Sequence, residues 1–318
     1  MSSRFLSSRT LDRRGFFVLA GAAALVSACS PRSQDAAATT AETVRMTGDG
    51  FDVTVPTRPT RVVVMEGRGD LEFALLAGYP IIATGNTFQP GARPAGQFEG
   101  LLDAQTEVIG GPDGPAAEEI AALSPDLIVM RANGWRLDWY GNEQLTKIAP
   151  VLPVEVNEPN FEQYTVDQFS AIGLLDTVQP RLDEYHRTID DAAAVTNGRR
   201  IALITSEPVA KGYVIVWTNY LGNTVATDMG FTVLQNNPED EEGNYRLSVE
   251  NLNQIADAEF IFHQTTDPTQ IDGIAAWQNL PAVAAGRSAV LDPQLNNGLV
   301  ITATSFANRL IDVVRKAD

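Results

Sequence analysis

Four arginines and three aromatic residues stand where they could grip a ligand: Arg68, Arg131, Arg136 and Arg246, with Trp135, Tyr213 and Trp217. A guanidinium is a planar fork of donors suited to anionic oxygens, and an aromatic ring offers a flat face to an organic group or a cation. Most of these residues follow short β-rich runs. Glu66-Gly67-Arg68 comes after Val62–Met65, and Arg131, Trp135 and Arg136 come after Leu127–Met130, with Trp139 and Tyr140 close behind. Lys211, Tyr213, Trp217 and Tyr220 come after Ile201–Thr205, and Arg246 follows the acidic stretch Glu239–Glu242. In an open α/β sheet, ligand contacts gather beyond the carboxyl ends of the strands. The pattern therefore predicts a cleft whose chemistry is binding by charge and stacking.

Catalytic and metal-binding patterns are missing from the sequence. There is no Gly-x-Ser-x-Gly, no His-Glu-x-x-His and no glycine-rich phosphate loop. The two histidines stand apart, His186 in a long helical pattern and His263 at the end of a strand-like run, with no cluster of the kind that holds bare zinc or manganese. No metal site and no catalytic residue are assigned. An exported hydrolase with dispersed catalytic residues is the alternative of another class, and turnover of a substrate would distinguish it. Gly67-Arg68-Gly69-Asp70 contains an Arg-Gly-Asp triplet, but it falls at a strand–helix junction rather than on a free loop.

The elements that would position these residues read as an α/β protein. Val44–Met46 and Phe51–Val55 flank Thr-Gly-Asp-Gly, a hairpin signal. From residue 61 to 154, strand-like and helix-like runs alternate, which argues for a largely parallel sheet covered on both faces. Residues 161–197 hold no strand-like run. Helical sequence from Phe161 to Leu175 breaks before Pro180, which is well placed to open a new helix. Leu182, Tyr185, Ile189, Ala192 and Ala193 then recur at helical spacing up to Asn197-Gly198. That rod is about 25 Å long at 1.5 Å per residue. After it the alternation restarts and ends in a helix over Asn297–Lys316. The expected architecture is two Rossmann-like lobes, 43–160 and 198–318, joined by the helical segment 161–197, with the cleft between them.

The N-terminus reads as an address. Four arginines and one acid precede Phe16–Val26, eleven uncharged residues that are too few to span about 30 Å of hydrocarbon. Arg13-Arg14-Gly15-Phe16-Phe17 looks like a twin-arginine export signal. Val26-Ser27-Ala28-Cys29 resembles a lipobox, and Cys29 is the only cysteine of the chain. Residues 1–28 are expected to be removed, Cys29 to be lipidated, and residues 29–42, poor in apolar bulk, to form a tether. Without residues 1–28 the chain carries 19 basic and 39 acidic residues, a net charge near −20. Such a charge excludes a nucleic-acid partner and disfavours anionic lipid head groups, leaving the lipid as the only membrane contact.

Several segments in order resemble one family. They are Arg58-Pro-Thr-Arg-Val-Val-Val64, Leu71-Glu-Phe-Ala-Leu-Leu-Ala-Gly78, Ala117-Glu-Glu-Ile-Ala-Ala-Leu-Ser-Pro-Asp-Leu-Ile-Val129 and Gln144-Leu-Thr-Lys-Ile-Ala-Pro150. In the second half they are Leu247–Leu252, Ala256–Phe262 and Trp277–Arg287. Together, over nearly all of residues 42–318, they resemble the siderophore-type substrate-binding lipoproteins of bacterial ABC importers. The resemblance implies a monomer on the extracytoplasmic face of the cell membrane. It would capture an Fe(III)-siderophore between two lobes, with only modest closure about a stiff rod, and deliver it to an ABC transporter permease. Haem and cobalamin are the rival ligands within the family. The resemblance also implies one permease-docking acid per lobe. Glu118 matches in the first; in the second Thr227 occupies the position, with Asp228 one residue on.

Overall fold

In the computed structural model, residues 42–111, 113–156, 159–196, 198–235 and 245–317 are described. The expected signal, the lipobox cysteine Cys29, the tether up to residue 41 and the acidic stretch Glu239–Glu242 lie outside the described residues.

Valine-rich runs build the first sheet. After a hairpin of β1 (Thr43–Gly48) and β2 (Phe51–Pro56) come β3 (Val62–Val64), β4 (Ile81–Thr84), β5 (Glu107–Val108), β6 (Leu127–Arg131) and β7 (Val151–Val154). The last five pair in the order β5-β4-β3-β6-β7, all parallel. The strand order reverses between β3 and β6, which makes the gap beyond their carboxyl ends a topological switch point. Asp126 fixes the opposite ends of this pair. Its carboxylate accepts from the Thr60 N–H and hydroxyl, both at 2.7 Å, and from the Arg61 N–H at 2.8 Å. The Ser-Pro-Asp of the longest family-like segment is thus a clamp between two strand starts.

Helices α1 (Gly69–Leu76), α2 (Ala117–Ala122), α3 (Ala132–Arg136) and α4 (Asn142–Ile148) belong to this lobe. Two helices then leave it, α5 (Phe161–Ala171) and the rod α6 (Leu175–Thr196). The rod has 22 residues and starts one turn before Pro180, which lies inside it. As the sixth residue of the helix, Pro180 has no N–H to give the Asp176 carbonyl, so one intrahelical hydrogen bond is missing there.

The second lobe is a mixed sheet. Strands β8 (Arg200–Thr205), β9 (Tyr213–Val216), β10 (Thr232–Val233), β11 (Tyr245–Ser248), β12 (Phe260–Gln264) and β13 (Ser288–Leu291) run in the order β11-β9-β8-β12-β13, with β10 on the amino end of β8. β12 is parallel to β8 and β13, whereas β9 is antiparallel to both β8 and β11. Helix α7 (Leu221–Asp228), the short helices α8 (Thr269–Asp272), α9 (Ala275–Gln278) and α10 (Pro281–Ala284), and the closing helix α11 (Val300–Ala317) complete it.

One apolar layer runs through both lobes. Phe73 of α1, Phe169 of α5, Tyr185 of the rod, and Phe306 and Leu310 of α11 belong to a single buried cluster. The outer face of each sheet has its own smaller core, around Ile128 and Leu145 in the first lobe and Ile261 and Trp277 in the second. A buried carboxylate crosses between the lobes. Glu72 of α1 is wholly buried and accepts hydrogen bonds at the amino end of α11: from the N–H groups of Leu299 at 2.8 Å, Ile301 at 2.6 Å and Thr302 at 3.3 Å, and from the Thr302 hydroxyl at 2.5 Å. It caps α11 from the other lobe, where helix N–H groups lack intrahelical partners and the helix dipole favours negative charge. Among the described residues no helix is long and apolar enough to cross a membrane.

Candidate ligand-binding site

The switch point of the first sheet carries a buried ion pair. Glu66 stands just beyond β3 and Arg131 ends β6. The Arg131 guanidinium meets one Glu66 oxygen with Nε, at 2.5 Å, and with Nη2. Asp70, also fully buried, holds the loop in place by accepting from the N–H groups of Glu66 at 2.7 Å, Arg68 at 2.9 Å and Leu71 at 3.0 Å. The Arg-Gly-Asp triplet is therefore a structural turn. Gly67 is required in it: its φ is +70°, and a β-carbon would strike the carbonyl of Gly85.

Aromatic rings flank the pair. The Arg68 guanidinium lies 4.1 Å from the Phe88 ring centroid, and that of Arg131 lies 5.5 Å from Trp139. Trp139 is 48% exposed and meets Tyr140 edge to face. Gly134 makes room there, since a β-carbon would stand 3.2 Å from Glu66 Oε1 and 3.3 Å from the Trp139 ring. A cavity of about 100 Å3 opens beside Arg131, lined also by Asn133, Arg136, Glu155, Val156 and, from the second lobe, Asn297.

Charge in this region is matched rather than positive. Arg136 donates to Glu155 at 2.6 and 3.4 Å. Burial and the neighbouring Asp70 push Glu66 up to about 7, against the opposing pull of Arg131. Burial also lowers Arg68 to about 10. A carboxyl raised on folding binds a proton that the unfolded chain releases near 4.5. Its stabilising contribution is present at low pH and is lost as pH climbs through about 7. The thermal midpoint is expected to fall between about pH 5 and pH 8, and to fall less in Glu66→Gln. Equal slopes in the two proteins would remove Glu66 as the source.

The structure brings together three of the seven residues expected to contact ligand, Arg68, Arg131 and Arg136, with the two carboxylates unforeseen as their partners. Trp135 sits beside them but donates to the carbonyl of Gly50 at 3.0 Å, bracing the β1–β2 hairpin. Tyr213 and Arg246 meet each other on β9 and β11, with the guanidinium 5.4 Å from the ring. Trp217 is elsewhere. Its side chain is 1% exposed, stacked on Phe306 at 6.1 Å and bonded through Nε1 to Thr205 Oγ1 at 2.8 Å. The reason is strand direction: β9 runs antiparallel to β8, so its carboxyl end points away from the cleft. Trp217 is a core residue between sheet and α11.

The other singled-out residues are also placed. Glu118 is exposed in the first turn of α2. Asp228 ends α7 and accepts from the Tyr185 hydroxyl of the rod at 2.8 Å, near the His186–Glu162 pair at 3.0 Å. His263 is buried against Trp277 and bonded to Ser206 at 3.1 Å, and burial lowers its pKa. No group of three or more His, Cys, Asp or Glu among the described residues could hold a metal ion. Residues that sequence reasoning passed over include Gln97, whose Nε2 donates across the lobes to the Gln294 carbonyl at 3.1 Å, and Gln294 and Asn297 themselves. Amides in loops carry no periodic signal that would mark them.

Comparison with known proteins agrees with this fold. A family model described as periplasmic binding protein matches residues 80–295. No curated protein matches the chain. Among solved structures, the siderophore-binding protein FhuD from Vibrio cholerae with bound Fe3+–Desferal superposes with a TM-score of 0.66 at 19% identity, covering 81% of this chain and 98% of that one. A periplasmic solute-binding protein from Mycobacterium smegmatis gives 0.68 at 21% identity, covering 86% and 98%. An FhuD-fold periplasmic binding protein, a component of a Fep/Fec-like ferrichrome ABC transporter from Bacillus subtilis, gives 0.63 at 19% identity, covering 80% and 97%.

Proposed function

Because the chain belongs to the periplasmic binding protein family, we propose that it is the lipid-anchored receptor of an ABC importer and that its ligand is a ferric siderophore. The observation that carries this reading is the buried Glu66–Arg131 pair at the switch point, flanked by half-exposed Trp139 and facing Asn297 of the other lobe. Polar groups held rigidly by burial fix orientation, and an open indole face supplies area for a flat chelate. The names of two solved neighbours, a Desferal-bound siderophore receptor and a ferrichrome transporter component, support the same class of ligand. The cavity of about 100 Å3 beside Arg131 has room for one arm of such a complex.

Haem is the rival ligand: of its three candidate axial ligands His263 is enclosed within the second lobe, whereas Tyr140, against Trp139, and Tyr213, on β9, are partly exposed. Tryptophan quenching decides between the two: a ferric siderophore should quench saturably, and Trp139→Ala should weaken binding at least tenfold, about 1.4 kcal/mol. If haemin binds with a Soret band and no ferric siderophore does, the ligand assignment is wrong.

Two substitutions separate the anchoring and delivery parts of the proposal. Cys29→Ala should move the protein from the membrane to the soluble fraction, and a variant that stays membrane-bound would remove the lipid anchor. Glu118→Lys should stop uptake while leaving ligand affinity intact; unchanged uptake would take Glu118 out of permease docking. Asp228, tied to the rod by Tyr185, is the weaker docking candidate of the two.

A further inference from the structure

A trough crosses the end of the first lobe that lies opposite the cleft. Its larger hollow, of about 490 Å3, is lined by Arg61 before β3, Ile82 of β4, Glu107 of β5, Leu75 of α1 and Leu123 just after α2. These are the amino ends of the strands, whereas the switch point lies beyond their carboxyl ends. A second hollow of about 190 Å3 shares Leu75 and Leu101 with the first and continues to Thr177 on the rod. The larger volume falls in the range of about 300–1,000 Å3 common to binding sites. Two adjoining hollows suit an extended segment better than a compact molecule.

Three features bear on what covers the trough. Leu101, shared by both hollows, is 40% exposed, one of three large apolar side chains left so open among the described residues. Tyr79 lines the larger hollow, is buried, and has a hydroxyl without a hydrogen-bond partner. A buried hydroxyl left unmet costs about 1–3 kcal/mol, and a docked backbone offers it carbonyls. Asp103 and Glu107 are exposed on the rim. Arg61, the cation of the larger hollow, donates to the carbonyls of Ser124 at 3.1 Å and Leu123 at 2.5 Å. The trough therefore fits a segment with an apolar body and a basic end.

The chain itself supplies such a segment. Arg13 and Arg14 precede the uncharged run Phe16–Val26. The first described residue also lies close by. The Glu42 carbonyl accepts from the Thr57 N–H at 2.9 Å and from its hydroxyl at 3.1 Å. Thr57 is four residues before Arg61, a span of at most about 14 Å. The sixteen steps from Val26 to Glu42 reach up to about 55 Å, so the connection is long enough.

Taking the export-signal reading as its basis, we propose that, before export, the run Phe16–Val26 seats in this trough of the folded first lobe, with Arg13 and Arg14 against Asp103 and Glu107. The walls come from α1, β4, the loop before β5 and the end of α2, which meet only on folding. The leader is thus covered on a folded chain and left open, as an exposed apolar patch, on an unfolded one.

The test uses the full-length precursor with Cys29→Ser, so that introduced thiols stand alone. Phe17→Cys paired with Leu101→Cys should form an intrachain disulfide at least tenfold faster than Phe17→Cys paired with Leu137→Cys, an exposed position on the cleft side. In urea the two pairs should react at rates within about threefold. Leu101→Asp should speed protease cleavage of the leader at least fivefold, and Leu137→Asp should leave it unchanged. Equal cross-linking of the two pairs in the native chain, or cleavage unaffected by Leu101→Asp, overturns the docking while the signal reading stands. Undiminished export of the Arg13→Lys/Arg14→Lys variant overturns the signal reading and takes the docking with it.

Discussion

Replacing Glu72 with alanine is expected to lower stability by about 3–5 kcal/mol, the sum of a lost helix cap and buried donors left unmet. At roughly 2–4 °C per kcal/mol for a domain of this size, the thermal midpoint should drop by about 10 °C. The carboxylate serves three N–H groups and a hydroxyl at the start of α11, and all four belong to the other lobe. Glu72, Leu299 and Thr302 are fully buried, so water is poorly placed to replace the lost acceptor for their donors. Glu72→Gln keeps the shape and one acceptor oxygen and should lose about half as much. Circular dichroism melts check both variants. A Glu72→Ala midpoint within about 2 °C of wild type would mean that the interlobe cap contributes nothing.

Trp217→Ala should also be destabilising, by about 3–5 kcal/mol, because it empties a packed space between Phe306, Tyr220 and the sheet. Gly222 shows how tight that space is: a β-carbon there would stand 2.7 Å from the indole ring. With the residue enclosed, the affinity of the folded variant for ligand should stay within about threefold of wild type. Denaturant unfolding paired with a binding titration separates the outcomes. A variant of normal stability with lost affinity would return Trp217 to the cleft wall.

These two residues show where sequence is readable and where it is not. The alternation of β-rich and helical runs marks most strands of both sheets, because parallel strands buried on two faces are continuous apolar stretches. Periodicity does not carry strand direction, however. Tyr213–Val216 has the same pattern whether it runs with β8 or against it, and that choice moves Trp217 from the rim to the core. Pro180 illustrates a local rule outweighed: a sound helix-start residue lies inside the rod because Leu175 and Val178 find apolar neighbours one turn earlier.

The site was legible in its arginines and not in their partners. Arg68, Arg131 and Arg136 follow β-rich runs, and the switch point places them together. Glu66 pairs with a residue 65 positions away, and Glu72 reaches donors 227 to 230 positions away. Such pairings leave no local trace. The same holds for Gln97, Gln294 and Asn297, each marked only by a buried side-chain oxygen without a partner.

A loaded iron chelate is expected to be held between the lobes, one per chain. Isothermal titration of the wild-type protein with a ferric trihydroxamate, against the same molecule without iron, tests it most directly. A single site of one-to-one stoichiometry is expected for the ferric complex, with the iron-free form at least tenfold weaker. Equal affinity for the two forms, or no heat from any ferric complex, would contradict it.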